Sequence, residues 1–94
     1  MAERKIDLGW MRIFAETVRC GSFSAAAVAL GLTQPAVSYQ IRRIEEQTGR
    51  QLLFRRRKGV EPTAEGRKLY EIASRAVGEI DDLMREYRAA ARPP

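Results

Sequence analysis

Apolar residues recur at helical spacing in four stretches of this chain. In the first, Leu8, Met11, Phe14, Ala15 and Val18 form one stripe, with Trp10 and Ile13 beside it. Asp7 is a good N-cap and Gly21 a good stop, so the pattern predicts a helix over 8–20. Ser22 then caps a short helix through Leu30, with Phe23, Ala26, Ala27 and Leu30 on its apolar face. Its alanines leave room for another helix to approach closely. Gly31 ends it.

Thr33 caps a third helix, predicted over 34–48 and closed by Gly49. Pro35 lies in the first turn, where its missing N–H costs nothing. Val37, Ile41 and Ile44 stand at i, i+4 and i+7 and make one buried stripe. The opposite side then holds Pro35, Ser38, Tyr39, Arg42 and Glu46, with Arg43 on its flank. Two helices, a short turn containing glycine and a second helix with a free polar face make a helix-turn-helix.

Beyond Gly49 the period changes. Leu52, Leu53 and Phe54 read as a short strand, 56–59 as a turn, and Val60 and Glu61 as the return strand. Pro62 is tolerable only at a strand end. This is a small β-hairpin with a basic tip, a wing. Thr63 caps a long helix predicted over 64–91. Gly66 is awkward in its first turn, at a cost of about 1 kcal/mol relative to Ala. Leu69, Ala73, Ala76, Ile80, Leu83, Tyr87 and Ala90 alternate spacings of four and three, a heptad pattern, and Tyr70, Val77, Met84 and Ala91 widen it. A helix of this length spans roughly 40 Å. The preceding residues are too few to cover it, so a partner helix is expected along the heptad row. The fold expected is mainly α: three helices and a two-stranded wing over 1–62, then a linker and dimerisation helix over 63–94.

Charge sharpens this picture. The 94 residues carry a net +5, concentrated in 40–60, where Arg42, Arg43, Arg50, Arg55, Arg56, Arg57 and Lys58 face only Glu45 and Glu46. A local positive excess is the footprint of a polyanion partner. The chain has no histidine and one cysteine, Cys20, which leaves neither a zinc ligand set nor His-based acid–base chemistry. No nucleophile–base pair or phosphate-binding loop is present, so no enzyme activity and no cofactor are expected. A lone cysteine, an N-terminus without a signal-like apolar segment and the lack of an 18-residue apolar run suggest a cytoplasmic protein that does not span a membrane.

The free face of the third helix has the chemistry to read a duplex. Gln34 can pair with an adenine edge, and Ser38 with a base or a phosphate. Pro35 and Ala36 offer small apolar contacts, and Tyr39 a ring and a hydroxyl. Arg42 and Arg43 can grip phosphates or reach guanine. Ser22 and Thr33, at helix N-termini, can hold phosphates. Wing arginines suit a narrow minor groove, and on a strand Arg55 and Arg57 share one side. The alternative is a winged helix whose basic wing docks an acidic protein.

The residues MRIF at 11–14, GSFSAAA at 21–27, LGLTQPAVSYQIRRIEEQTG at 30–49, LLFR at 52–55 and PTAEG at 62–66 resemble the N-terminal domain of LysR-type transcriptional regulators. The resemblance covers nearly the whole chain, and the stretch from Gly21 to Gly49 is its most specific part. It implies a winged helix-turn-helix and a linker helix that dimerises antiparallel, bound to an interrupted palindrome in double-stranded DNA near a promoter. It implies DNA contacts by Ser22, Thr33, Gln34, Pro35, Ala36, Ser38, Tyr39, Arg42, Arg43 and Arg55. It also implies that a small-molecule effector binds only a C-terminal domain that this chain lacks. Two positions depart from the family pattern. Phe54 stands where an acidic residue is frequent, and Pro62 replaces an aliphatic residue before Thr63.

Overall fold

The computed structural model describes residues 7–91. Its elements are α1 (Leu8–Cys20), α2 (Phe23–Leu30), α3 (Gln34–Thr48), β1 (Leu53–Arg56), β2 (Gly59–Pro62) and α4 (Ala64–Ala90). The expected caps are in place. Asp7 accepts from the Trp10 N–H, Ser22 from Ala25, Thr33 from Ala36 and Thr63 from Gly66. Gly21, Gly31 and Gly49 close the first three helices.

Helices α1, α2 and α3 pack around one core that contains Phe14, Ala26, Ala27, Val37, Ile41 and Ile44, with Leu52, Leu53 and Val60 from the wing. The α3 stripe is buried as the spacing predicts. The α1 stripe is buried in part. The buried residues of α1 are Trp10, Phe14 and Thr17; Met11 and Val18 pack against the core while keeping part of their surface, and Leu8 and Ala15 are also partly exposed. The face is rotated because α1 packs against α2, α3 and α4 together. Trp10, beside the predicted stripe, is part of the core, as packing of its ring predicts. Thr17 is fully buried, and its hydroxyl donates to the Ile13 carbonyl at 2.7 Å, so no polar atom is stranded.

The hairpin differs from expectation in extent. Leu52 precedes the strand, although it is buried, and β1 runs on through Arg56, so that Arg57 and Lys58 alone make the turn. The antiparallel register pairs Leu53 with Pro62, Phe54 with Glu61, Arg55 with Val60 and Arg56 with Gly59. Alternation puts Leu53, Arg55 and Val60 on the inward face, and Phe54, Arg56 and Glu61 on the outward one. Two close approaches dock this wing. The Val60 N–H donates to the Gly21 carbonyl at 2.9 Å. At Gly59, φ is 146° and a Cβ would lie 2.2 Å from that same carbonyl oxygen, so only glycine fits.

The root of the wing is tied to both long helices. In α3, Glu45 accepts from the Leu52 and Leu53 N–H groups at 2.9 and 3.2 Å. The Thr63 hydroxyl donates to the Gln51 carbonyl at 2.7 Å while capping α4, and the Thr63 N–H donates to the Leu52 carbonyl. Helix α4 then runs along α1. Arg12 makes a bidentate pair with Asp81 at 2.9 and 2.8 Å. The hydrogen bond to Arg12 holds the Asp81 carboxyl below its ordinary range. A depressed carboxylate stabilises the fold above its unfolded value and loses that contribution as pH falls through the lowered one. The link is therefore intact at neutral pH. Among the described residues no helix is long and apolar enough to cross a membrane.

Candidate nucleic-acid interface

The exposed side of α3 is placed by what its other side buries. With Val37, Ile41 and Ile44 in the core, Gln34, Pro35, Tyr39, Arg42 and Arg43 are exposed, and Ala36 and Ser38 are half-buried. From Gln34 to Ile44 the helix carries no carboxylate. Its N-terminal turn projects its N–H groups outward, with the partial positive charge of the helix dipole behind them.

Two recesses border this face. On the wing side, Ser22, Ser24 and Gln34 line one bank of a groove of about 390 Å³, and wing residues 55–58 line the other. On the α1 side, Tyr39, Gln40, Arg43 and Gln47 face Asp7 and Trp10 across a second recess. Side-chain contacts partly organise the surface. The Ser24 hydroxyl donates to Gln34 Oε1 at 3.2 Å, linking α2 to the first residue of α3. That bond holds the Gln34 amide while its Nε2 stays available. Arg43 Nη1 donates to the Tyr39 hydroxyl at 3.4 Å, one turn back on the same helix. Ser22 Oγ and Thr33 Oγ1 are engaged as caps. Both remain at helix N-termini, with lone pairs and a hydroxyl hydrogen to spare.

The four wing cations have unequal surroundings. Arg55 lies on the inward face, its guanidinium 5.5 Å from the centre of the Phe23 ring and 3.6 Å from Glu45 Oε1. Arg56 faces outward, stacked 4.9 Å over Phe54 and paired with Glu61 at 2.8 Å. Arg57 and Lys58 occupy the tip, and among the described residues neither carries an ion pair. The sequence pattern put Arg55 and Arg57 on one side of a strand. The shorter turn instead leaves Arg57 at the apex and gives Arg55 partners within the chain. Phe54, at the position that departs from the family pattern, supplies the ring under Arg56. The sequence reading missed Glu45, which it counted only as a local negative charge. Two backbone N–H groups and Arg55 converge on that carboxylate, so it fixes the wing against α3.

The heptad row of α4 divides into two parts. Ala73 is fully buried and Leu69 and Ala76 half-buried against the body, so Ala73 has no surface to offer a partner. Ile80, Leu83, Met84 and Tyr87 remain 40, 38, 41 and 58 % exposed, on the C-terminal half of α4.

The arrangement is a hydrogen-bonding helix face that carries no carboxylate from Gln34 to Ile44, flanked by a basic hairpin tip. The sequence profile described as "Bacterial regulatory helix-turn-helix protein, lysR family" matches residues 8–67. The chain is 47 % identical over 79 residues to the HTH-type transcriptional regulator AbaB of Streptomyces antibioticus, covering 84 % of this chain and 25 % of that protein. It is 38 % identical over 87 residues to the HTH-type transcriptional regulator BudR of Klebsiella aerogenes, covering 93 % of this chain and 61 % of that one. It thus spans only part of each of these relatives. Among solved structures, the BenM DBD/catB site 1 DNA complex superposes with a TM-score of 0.83 at 32 % identity, over 95 % of this chain and 99 % of that one. The CbnR DBD–DNA complex gives 0.77 at 31 % identity, over 93 % and 100 %. The chain belongs to the lysR family of bacterial regulatory helix-turn-helix proteins.

Proposed function

We propose that this chain is the sequence-specific, double-stranded DNA-binding part of a bacterial transcription regulator. The observation that carries this is the carboxylate-free outer face of α3 from Gln34 to Arg43, standing beside the wing-tip cations Arg57 and Lys58, which form no ion pair among the described residues. The N-terminal half of α3 lies in the major groove. There Gln34 and Ser38 read base edges, with Pro35, Ala36 and Tyr39 in contact beside them. Arg42 and Arg43 hold the phosphates that flank them. Ser22 and Thr33 hold phosphates at the starts of α2 and α3. The wing crosses to the minor groove, led by Arg57, with Arg55 behind it against Phe23 and Glu45. Two copies pair through the exposed half of α4, by Ile80, Leu83 and Tyr87 with Leu69 and Ala76 at the edge, and bind an interrupted inverted repeat. The DNA bound in the BenM and CbnR complexes supports this reading, since those chains share the fold over nearly their whole length.

Selection from a randomised duplex library at about physiological salt tests it. Enrichment of an interrupted inverted repeat is the expected result. Recovery of no motif, with binding that vanishes as salt rises, would leave phosphate attraction alone and overturn the proposal.

Two substitutions separate the contacts. Gln34→Ala is expected to cost about 1–3 kcal/mol on the selected sequence and little on random DNA. Equal losses on both would show that Gln34 reads no base. Arg42→Ala is expected to weaken binding to all sequences alike and to reduce the slope of log affinity against log salt by about one. An unchanged slope removes Arg42 from the phosphate contacts.

A further inference from the structure

Helix α4 has a weak point where it leaves the body of the domain. Gly78 lies inside the helix, and a Cβ there would meet nothing within 4 Å. No close approach demands glycine at that position. A helix-interior glycine lowers local helix stability by about 1 kcal/mol relative to Ala, because its backbone has the most conformational freedom to lose. Fully buried packing ends at Ala73, and every described residue from Asp82 onward is exposed. Three residues past Gly78 stands Asp81, held by Arg12 of α1 through two parallel hydrogen bonds at 2.9 and 2.8 Å. Among the described residues this is the one ion pair that joins α4 to the rest of the chain. Apolar packing is non-directional and lets a helix roll or tilt. A bidentate guanidinium–carboxylate pair fixes orientation. The latch thus spans the soft residue and binds the far side of it to α1.

We propose that the Arg12–Asp81 pair sets the angle between α4 and the DNA-reading body, and through it the spacing of the two half-sites that a dimer accepts. This rests on the dimeric reading above. If α4 pairs two chains through its exposed half, each α3 is carried on a lever whose hinge is Gly78. B-DNA advances about 3.4 Å per base pair. A tilt of roughly 10° over a lever on the order of 20 Å moves α3 by that much, within a domain whose extents are 52, 34 and 23 Å. A small angular freedom therefore amounts to one base pair of spacing.

The test uses duplexes carrying the selected inverted repeat with its spacer shortened by one or lengthened by one or two base pairs. Wild type is expected to prefer one spacing. Arg12→Ala and Asp81→Asn are each expected to flatten that preference roughly fivefold to tenfold, since a dimer contains two such pairs. Affinity for a single half-site should not change, and thermal unfolding confirms that the domain is folded. The charge-reversed double variant R12D/D81R should restore the preference. So should Gly78→Ala added to Arg12→Ala, because a stiff helix no longer needs the latch. Full wild-type spacing preference in Arg12→Ala overturns the proposal. A wild-type chain that sediments as a monomer, with equal affinity for half-sites and inverted repeats, overturns the dimeric reading and this proposal with it.

Discussion

Replacing Gly66 by alanine is expected to lower the unfolding temperature by about 10–20 °C, corresponding to a loss of roughly 3 kcal/mol for a domain of this size. Helix propensity alone forecasts the opposite sign, a gain of about 1 kcal/mol for Gly→Ala in a helix. The contacts decide which effect wins. A Cβ at Gly66 would lie 1.9 Å from the Leu52 carbonyl oxygen and 2.9 Å from its carbon. Both atoms are backbone, so no side chain can swing aside. The Leu52 carbonyl also accepts from the Thr63 N–H at 3.0 Å, and the adjoining Leu52 and Leu53 N–H groups are held by Glu45. Moving it disturbs the α4 cap and the wing root together. Thermal denaturation of the variant decides the matter, and an unchanged or raised midpoint would show that the wing root yields at little cost.

Ile80→Glu is expected to convert a dimer into a monomer and to reduce affinity for the inverted repeat by about 10²–10³-fold. Ile80 is 40 % exposed and continues in a row with Leu83, Met84 and Tyr87. A carboxylate there would have to be buried against an apolar partner helix, which is costly without a counter-charge. The same substitution leaves the core untouched, so the domain should stay folded and keep its affinity for a single half-site. Sedimentation gives the mass directly. A sedimentation mass that does not change would remove this row from the interface, and the proposed pairing through α4 with it.

Much of this architecture is readable in the one-dimensional pattern. The helix limits of α1, α2 and α3 follow from Asp7, Ser22 and Thr33 at their starts and Gly21, Gly31 and Gly49 at their ends. Caps are local, set by a side chain bonding an N–H three residues on, so neighbouring sequence suffices to place them. The buried stripe of α3 is likewise local, because one face of that helix meets the body and the other is polar. The candidate interface is readable for the same reason: the position of Gln34, Ser38, Tyr39 and Arg42 on α3 follows from the stripe they oppose.

The misread parts are those where several elements compete for one residue. Helix α1 is packed from three directions, so its buried face takes in Thr17 beside Phe14 and Trp10, while Leu8 and Ala15 of the apolar stripe stay partly exposed. The wing residues 55–58 have the same type and charge, and nothing in their order says that Arg55 meets Phe23 and Glu45 while Arg57 and Lys58 do not. Phe23 and Glu45 are 32 and 10 positions away from Arg55. The heptad row of α4 is continuous in sequence but divided in space, because the body of the domain covers Ala73 and leaves Ile80, Leu83 and Tyr87 open.

The sequence by itself therefore determined the elements, their caps, the winged helix-turn-helix order and the polar face of α3, all of which depend on interactions within about one helical turn. The tertiary structure decided which cations are free, why Gly66 is a spatial necessity, how Glu45 sets the wing and where α4 leaves the body at Gly78 and Asp81. Those outcomes depend on contacts between residues far apart in the chain. Which atoms meet there follows from how the helices pack, and no local pattern encodes it.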